Sequence, residues 1–227
     1  MTLSRYGRRE WLSMIAIAVM ASASAAIIGW WWAAGAVLLL LLAFLSLFRD
    51  PTRVVPAQRH IMVSPADGRV SAVQHLEHFE PLGEAAVCVR IFLSLLDVHV
   101  NRSPCHAIVS SVEHTPGLKR NALDPRSARD NESTLLVLLH PSRRKPVAAV
   151  RQVVGMIART IVCDVTEGQI LQRGQRYGMI KFGSTTELYL PKSLQPHVLV
   201  EKGQHVRGGL TVVANIGSVP GEAEEAS

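Results

Sequence analysis

The chain has 227 residues, 48% of them apolar, with 24 Lys and Arg against 18 Asp and Glu for a formal charge of +6, and a mean hydropathy of +0.20. That balance excludes an intrinsically disordered chain, a collagen-like repeat and a disulfide framework. It also argues against a wholly soluble protein, because the apolar residues are concentrated near the N-terminus.

Residues 11–48 contain no charged side chain. A helix of that length would reach roughly 57 Å, nearly twice a hydrocarbon core of about 30 Å. Two spans of about 18 residues fit, with a break between Gly29 and Gly35. Trp30, Trp31 and Trp32 then mark one interface and Trp11 the other. Arg5, Arg8 and Arg9 precede the segment, and Arg49, Arg53 and Arg59 follow it. Basic residues at both ends place both ends in the cytoplasm. The expectation is a transmembrane helical hairpin, re-entrant or two-span, residues 1–49, anchoring a cytoplasmic domain to the inner membrane. Two alternatives stay open. One is a single long tilted span. The other is a twin-arginine export signal, with Arg8-Arg9 before the apolar run and Ala-Ser-Ala at 21–23 and 23–25.

Beyond residue 49 the sequence reads as mainly β. Residues 86–95, 134–139, 147–154 and 160–165 are short β-branched or apolar runs, and Asp67-Gly68, Pro81-Leu82-Gly83, Pro116-Gly117 and Glu167-Gly168 are turn signals between them. A weak repeat links Val165-Thr-Glu-Gly168, with Gly174 after it, to Val200-Glu-Lys-Gly203, with Gly208-Gly209 after it. Strand, glycine turn, short strand and second glycine is the pattern of lipoyl/biotinyl-like β-sandwich hairpins. The carrier lysine of such domains is absent. Ser64-Pro-Ala-Asp67-Gly68-Arg-Val70 fits the same architecture as an opening hairpin.

Residues 118–129 read as one short helix or a mobile loop. Lys119, Arg120, Arg126 and Arg129 there form a solvated face or a site for anionic lipid headgroups. The tail from residue 221 is small, acidic and expected to be disordered. Cys88, Cys105 and Cys163 are an odd count without metal-type spacing, read as free buried thiols. No nucleic-acid partner is expected.

The chemistry concentrates at Lys181-Phe-Gly183-Ser184-Thr-Thr-Glu-Leu-Tyr-Leu-Pro191. A Gly-Ser pair in a tight turn between apolar strands is a common hairpin. It also has a chemical use, because glycine allows a backbone conformation in which the Ser184 hydroxyl reaches the Gly183 carbonyl carbon. Attack there shifts the acyl group from N to O. Elimination of the resulting ester leaves a dehydroalanine, which hydrolyses to a pyruvoyl group.

Ordered blocks in the chain resemble the short branch of the pyruvoyl-dependent phosphatidylserine decarboxylases, over about residues 48–216. They are Phe48-Arg-Asp-Pro51, Ser64-Pro-Ala-Asp-Gly68, Phe92-Leu-Ser94, Asp97-Val-His99-Val-Asn101-Arg102-Ser-Pro104, Asn121-Ala122, Asp130-Asn131-Glu132, Gly155-Met-Ile-Ala-Arg159, Glu167-Gly168 and Arg173-Gly-Gln-Arg-Tyr-Gly-Met-Ile-Lys-Phe-Gly-Ser184. The resemblance implies self-cleavage between Gly183 and Ser184. That divides the catalytic domain into a large chain ending at 183 and a small chain, 184–227, which pair as a heterodimer, with a dimer of these as a further step. The pyruvoyl group made from Ser184 would form a Schiff base with the amine of phosphatidylserine in the bilayer and act as electron sink for loss of carbon dioxide, giving phosphatidylethanolamine. Neither PLP nor a metal is needed.

The resemblance further implies that Asp67 orients a proton-transferring group, that His99 is the proton carrier, and that Asn101, Arg102, Asn131 and Glu132 are weaker candidates for substrate binding. Two departures bear on this. The longer branch reads Asp-x-His-x-x-His, and its second histidine, linked there to self-cleavage, is Arg102 here. Asn131-Glu132 is followed by Ser133-Thr134, where the short branch often has Arg-Asn. Two other functions remain open: decarboxylation of another serine lipid such as archaetidylserine, and a non-catalytic membrane-anchored binding module, which would stay uncleaved.

Overall fold

A computed structural model describes residues 2–118, 130–155, 160–181 and 183–217. The chain divides into two compact units, Met1–Thr52 and Arg53–Ser227.

The first unit is a helical hairpin. α1 (Arg8–Ile27) and α2 (Trp31–Ser46) pack against each other. They are joined at Gly29, whose φ of +86° is the left-handed value that lets the chain reverse. The break therefore falls at residues 28–30, and Trp31 and Trp32 belong to α2 rather than to the turn. The open ends are tied by an antiparallel bridge between Leu3 and Arg49, with Ser4 N–H donating to Phe48 O at 2.8 Å and Asp50 N–H to Thr2 O at 2.9 Å. Both ends of the hairpin thus lie on the same side of it. α1 is long and apolar enough to cross a membrane, and α2 is a shorter apolar helix. Beyond the seam between them, much of their apolar surface is exposed among the described residues: Ile27 is 87% exposed, Trp32 77% and Leu39 69%.

The second unit is mainly β, and all its strand pairs are antiparallel. Its strands are β1 (Ile61–Val63), β2 (Gly68–Phe79), β3 (Glu84–Leu93), β4 (Val100–Arg102), β5 (Ala107–Thr115), β6 (Ser133–Leu139), β7 (Pro146–Val153), β8 (Ile161–Cys163), β9 (Ile170–Leu171), β10 (Arg176–Ile180), β11 (Ser184–Pro191), β12 (His197–Val198), β13 (His205–Val206) and β14 (Val212–Asn215). One sheet has eight strands in the order β13-β2-β3-β11-β7-β6-β5-β9, and two have three, β4-β10-β8 and β1-β14-β12. Alternation along β11 sends Leu188 and Leu190 into the main core with Val89, Ile91, Leu136, Leu138 and Val150. It sends Tyr189 into a second cluster with Leu82, Ala86, Cys88 and Ala149. Burial on both faces makes β11 the centre of the unit.

The weak repeat of the sequence is a structural repeat. Ser64 Oγ donates to Ala66 O at 2.6 Å, and Ser103 Oγ to Cys105 O at 2.7 Å. These Ser-Pro turns open β2 and β5. Each of those strands receives a two-residue edge strand, β13 on β2 and β9 on β5. Val70 N–H bonds Gln204 O, and Val109 N–H bonds Gln169 O, both at 2.9 Å. Each arm then closes on a left-handed glycine, Gly209 or Gly174, whose N–H donates at 2.8 Å to the carbonyl of Ser64 or Ser103. The second Ser-Pro block, 103–105, carries no turn glycine after it, so the sequence alone hides its kinship with 64–66.

Candidate active site

Sheet register collects the expected site residues at one end. β11 starts at Ser184, where its antiparallel neighbours β3 and β7 finish: Ser184 faces Leu93, and Thr185 lies between Phe92 and Val153. β6 starts beside Val153, through Ser133, and β2 starts beside Phe92, through Arg69. Asp67-Gly68, Ser94, Val154, Asn131-Glu132 and Ser184 therefore share that end. Gly68 is required there, because a Cβ would sit 2.2 Å from Phe92 O.

β4 and β10 bring His99 and Asn101 to the same place. Gly178 of β10 pairs with Asn101, and Asn101 Nδ2 donates to Thr186 Oγ1 of β11 at 3.0 Å. Residues 181–183 join β10 to β11. Two residues nearer that turn, the same three segments carry Ile180, His99 and Ser184, and Ile180 N–H donates to His99 O at 3.2 Å. His99 stands two residues before Asn101, and Ser184 two residues before Thr186, the residue that Asn101 meets.

Gly183 has φ +62° and open space where a Cβ would lie, so its need for glycine is conformational rather than steric. Ser184 is fully buried, and its Oγ has no hydrogen-bond partner among the described residues. A buried, unbonded hydroxyl beside a left-handed glycine is unspent polarity at the peptide bond singled out by the sequence.

Behind Asn101 and Thr186 lies a polar cluster. Gln152, directly opposite Thr186, donates from Nε2 to Asn101 Oδ1 at 2.9 Å, and Val162 O lies 3.5 Å from the same nitrogen. A side chain at Gly178 would put its Cβ 3.2 Å from that nitrogen and 2.1 Å from Val162 O, so only glycine admits the contact. Gln152 Oε1 is buried without a partner among the described residues. Leaving such an acceptor unpaired costs about 1–3 kcal/mol, so stability alone does not call for glutamine here.

Asp67 is buried and ion-paired. Arg53 grips it with both terminal nitrogens, at 2.5 and 2.7 Å, and Gly208 N–H adds a bond at 2.7 Å. None of these contacts is to His99. Arg102 is buried, donates to Gly174 O at 3.2 Å and packs its Cδ under Gly209, holding the two glycine turns. Asn131 spends its amide on Val154 O at 2.7 Å, and Glu132 exchanges backbone bonds with Leu118 and Val154. Asp97, in the same block as His99, accepts from Ser94 N–H at 2.8 Å and Ser94 Oγ at 2.7 Å, and lies 3.2 Å from His205 Nε2. Burial would raise the Asp97 carboxyl, but these bonds outweigh it and hold the group below its ordinary value of 3.8.

On the opposite face of β11, Glu187 is buried between Arg90, whose Nε is 2.8 Å away, and the Tyr189 hydroxyl at 2.6 Å. Burial and this carboxylate push the Tyr189 hydroxyl far up. The three cysteines are free thiols; Cys105 is buried, and burial raises it to about 12, while the half-buried Cys163 is raised to about 11. The 119–129 basic segment, Asn121-Ala122, residues 156–159, Phe182 and the acidic tail lie outside the described residues.

Arg53 holds the expected site residue Asp67, and Gln152 and Thr186 hold Asn101, parts that no motif in the sequence assigns to them. Arg53 reads only as a flanking charge. Gln152 does carry a signal: alternation in β7 sends Ala148, Val150 and Gln152 to the core face, and a polar residue in that register asks for a reason.

Residues 40–214 match the family model described as phosphatidylserine decarboxylase. The chain is 43% identical over 175 residues to the phosphatidylserine decarboxylase proenzyme of Gluconacetobacter diazotrophicus, covering 76% of each chain. It is 42% identical over 173 residues to that of Pelobacter propionicus, again 76% of each. With that of Nitratidesulfovibrio vulgaris it shares 44% over 168 residues, 74% of this chain and 75% of the relative. A match of this length, carried by a chain whose Gly183-Ser184 bond sits in such a turn, shows that the protein belongs to the phosphatidylserine decarboxylase family.

Proposed function

We propose that the protein is a proenzyme that cleaves itself between Gly183 and Ser184 and then decarboxylates phosphatidylserine to phosphatidylethanolamine and carbon dioxide. The observation that carries the reading is the buried Ser184 hydroxyl, without a hydrogen-bond partner among the described residues, following a left-handed Gly183 at the head of the central strand. Its attack on the Gly183 carbonyl carbon breaks the C–N bond and forms a C–O ester, with the proton passing to the freed nitrogen. Removal of the Ser184 α-proton then expels the Gly183 carboxylate, and hydrolysis of the enamine releases ammonia and leaves a ketone at residue 184. His99, buried and two residues from the Asn101 that meets Thr186, is the group that carries protons in these steps.

The pyruvoyl group supplies an electrophilic ketone for the substrate amine and an electron sink for loss of carbon dioxide. Ser184 fits its role as precursor, since its neighbours leave the hydroxyl uncommitted. Asp67 keeps a buried negative charge at this end of the sheet in the grip of Arg53, and orients the site through the Gly208 turn rather than by a bond to His99. Asn131 and Arg102 contribute to headgroup binding by fixing the strand ends and turns around it, and Glu132 offers a half-buried carboxylate at that rim.

The cut leaves β11 on the small chain, between β3 and β7 of the large one. Their backbone ladders keep the two chains together as a heterodimer. The twofold repeat about the two Ser-Pro turns supports a lipoyl-like sandwich as the architecture. The exposed apolar surface of α1 and α2 and the basic residues at both hairpin ends support a membrane anchor with the globular unit in the cytoplasm.

The test is an intact-mass measurement of detergent-purified protein beside release of labelled carbon dioxide from carboxyl-labelled phosphatidylserine. Two chains split at 183/184, the smaller with a blocked N-terminus, and lipid-dependent release are expected. An uncleaved chain that releases none would make this a binding module.

A further inference from the structure

We propose that Gln152 is a positioning residue for self-cleavage: its amide, through Asn101, sets the His99 segment against residue 184. The inference rests on the reading of Gly183-Ser184 as the bond that is cut.

His99 and Asn101 lie two residues apart on the segment that forms β4, so they project to the same side. Ser184 and Thr186 are related in the same way on β11. Asn101 is held from both ends of its amide: Nδ2 donates to Thr186 Oγ1 at 3.0 Å, and Oδ1 accepts from Gln152 Nε2 at 2.9 Å. Gln152 is itself fixed, because it stands opposite Thr186 in the ladder and lies over the bare backbone of Gly178. All three side chains are buried. The triangle ties the small sheet, whose strand β4 directly follows His99, to the eight-stranded sheet at Thr186, two residues from Ser184.

The division of the chain adds weight. After a cut at 183/184, Asn101 and Gln152 stay on the large chain and Thr186 goes to the small one. The Asn101–Thr186 bond then spans the two chains next to the new terminus. Without Gln152, the Asn101 amide loses the acceptor-side partner that fixes its orientation, and the alignment of His99 with residue 184 loosens.

The experiment follows cleavage of the full chain made by cell-free synthesis into detergent micelles, as half-time on denaturing gels across a pH series. Gln152→Met keeps length and removes the donor; misalignment at this scale should lengthen the half-time about 10- to 100-fold. Gln152→Glu can donate to Asn101 Oδ1 only when its carboxyl is protonated. Its rate relative to the unaltered chain should therefore fall as pH rises from about 6 to about 8, since burial raises a carboxyl into that range. A purely structural role predicts that any pH-dependent change in the ratio is matched by a fall in the melting transition of Gln152→Glu over the same pH range. A Gln152→Glu ratio that is flat with pH overturns the proposal, whatever Gln152→Met does. So does a Gln152→Met chain with an unaltered melting transition and half-time. If the unaltered chain is not cut at 183/184, the underlying reading fails instead, and the control lane shows it.

Discussion

Arg53 and Asp67 form a two-point ion pair sealed from solvent, with side chains only 6% and 8% exposed. Arg53 also donates to Gly208 O, and Gly208 N–H returns a bond to Asp67, so one guanidinium and one carboxylate close a turn 141 residues further along the chain. Breaking a buried pair by removing one partner strands the other charge, which costs about 3–5 kcal/mol. Arg53→Met should lower stability by that order in chemical unfolding of the detergent-solubilised protein and slow the appearance of cleaved chains. Adding Asp67→Asn should recover part of the stability, because the stranded charge is gone. Equal losses in the single and double variants would show that the stranded Asp67 charge carries no penalty of its own.

Gly183 tests conformation apart from space. Nothing lies within 4 Å of a Cβ built there, yet φ is +62°. An alanine therefore meets no wall but pays about 1–2 kcal/mol for left-handed backbone. Gly183→Ala should fold, with self-cleavage slowed about tenfold or more as the chain shifts from that conformer. Ser184→Ala should remain one chain at all times, since nucleophile and ketone precursor vanish together. Cleavage of Ser184→Ala on a gel would refute the assignment of the bond.

Much of the β architecture is legible in the sequence because its strands are apolar runs of ordinary strand length. The runs at 86–95, 134–139 and 147–154 become β3, β6 and β7 within two residues. β2 was less visible beyond its opening turn. Its outer half, Gln74 to Phe79, is mostly exposed or half-buried and mixes His, Glu and Leu, so no strong period marks a strand of this length. β5 hides for a similar reason: its second half, from Ser110, is polar.

The site was legible where a motif names a residue type. It was illegible where the work is done by register. Asn101 gives no hint in the sequence that it faces Thr186, 85 residues away, and nothing marks Arg53 as the partner of Asp67 rather than a membrane-flanking charge.

The Asp97 contacts predict an acid sensitivity. Its folded carboxyl lies below the unfolded value of 3.8, so the bonds from Ser94 and His205 favour the charged form. A group lowered in the folded state stabilises above its unfolded pKa, and loses that contribution as pH falls through its folded pKa. Asp97→Asn should lower the melting temperature at neutral pH, with the gap closing as acid takes the pH below 3.8 and through the lowered folded pKa, where the native carboxyl protonates. A gap that is constant from neutral to acid pH would show that Asp97 acts through packing alone.

The two basic residues of the His99 block should separate cleanly. His99 is fully buried, its backbone is fixed by Ile180 N–H, and it stands two residues from Asn101, the partner of Thr186. Self-cleavage needs a base for the Ser184 hydroxyl and a proton for the departing nitrogen. Decarboxylation needs a proton for the carbon that loses carbon dioxide. A histidine can do each of these, and such groups contribute typically about 10²–10⁴-fold. His99→Ala should therefore slow maturation by that order and abolish turnover in the fraction that matures. Arg102 stands where the longer family branch has a second histidine, yet its guanidinium donates to Gly174 O and its stem fills the space beside Gly209. Its removal leaves a hole between the two glycine turns rather than a missing proton carrier. Arg102→Ala should lower the melting temperature, while the molecules that stay folded mature at a pace much closer to the unaltered chain than His99→Ala does. The deciding measurement is cleaved fraction against time, with activity per cleaved molecule and the melting transition of each variant. If Arg102→Ala melts normally but fails to mature, Arg102 acts in the cut itself, as a fixed positive charge and hydrogen-bond donor where the longer branch has its histidine. If His99→Ala matures on time with full activity per cleaved chain, the carrier must be sought elsewhere, and Asp67 freed from Arg53 is the next group to test.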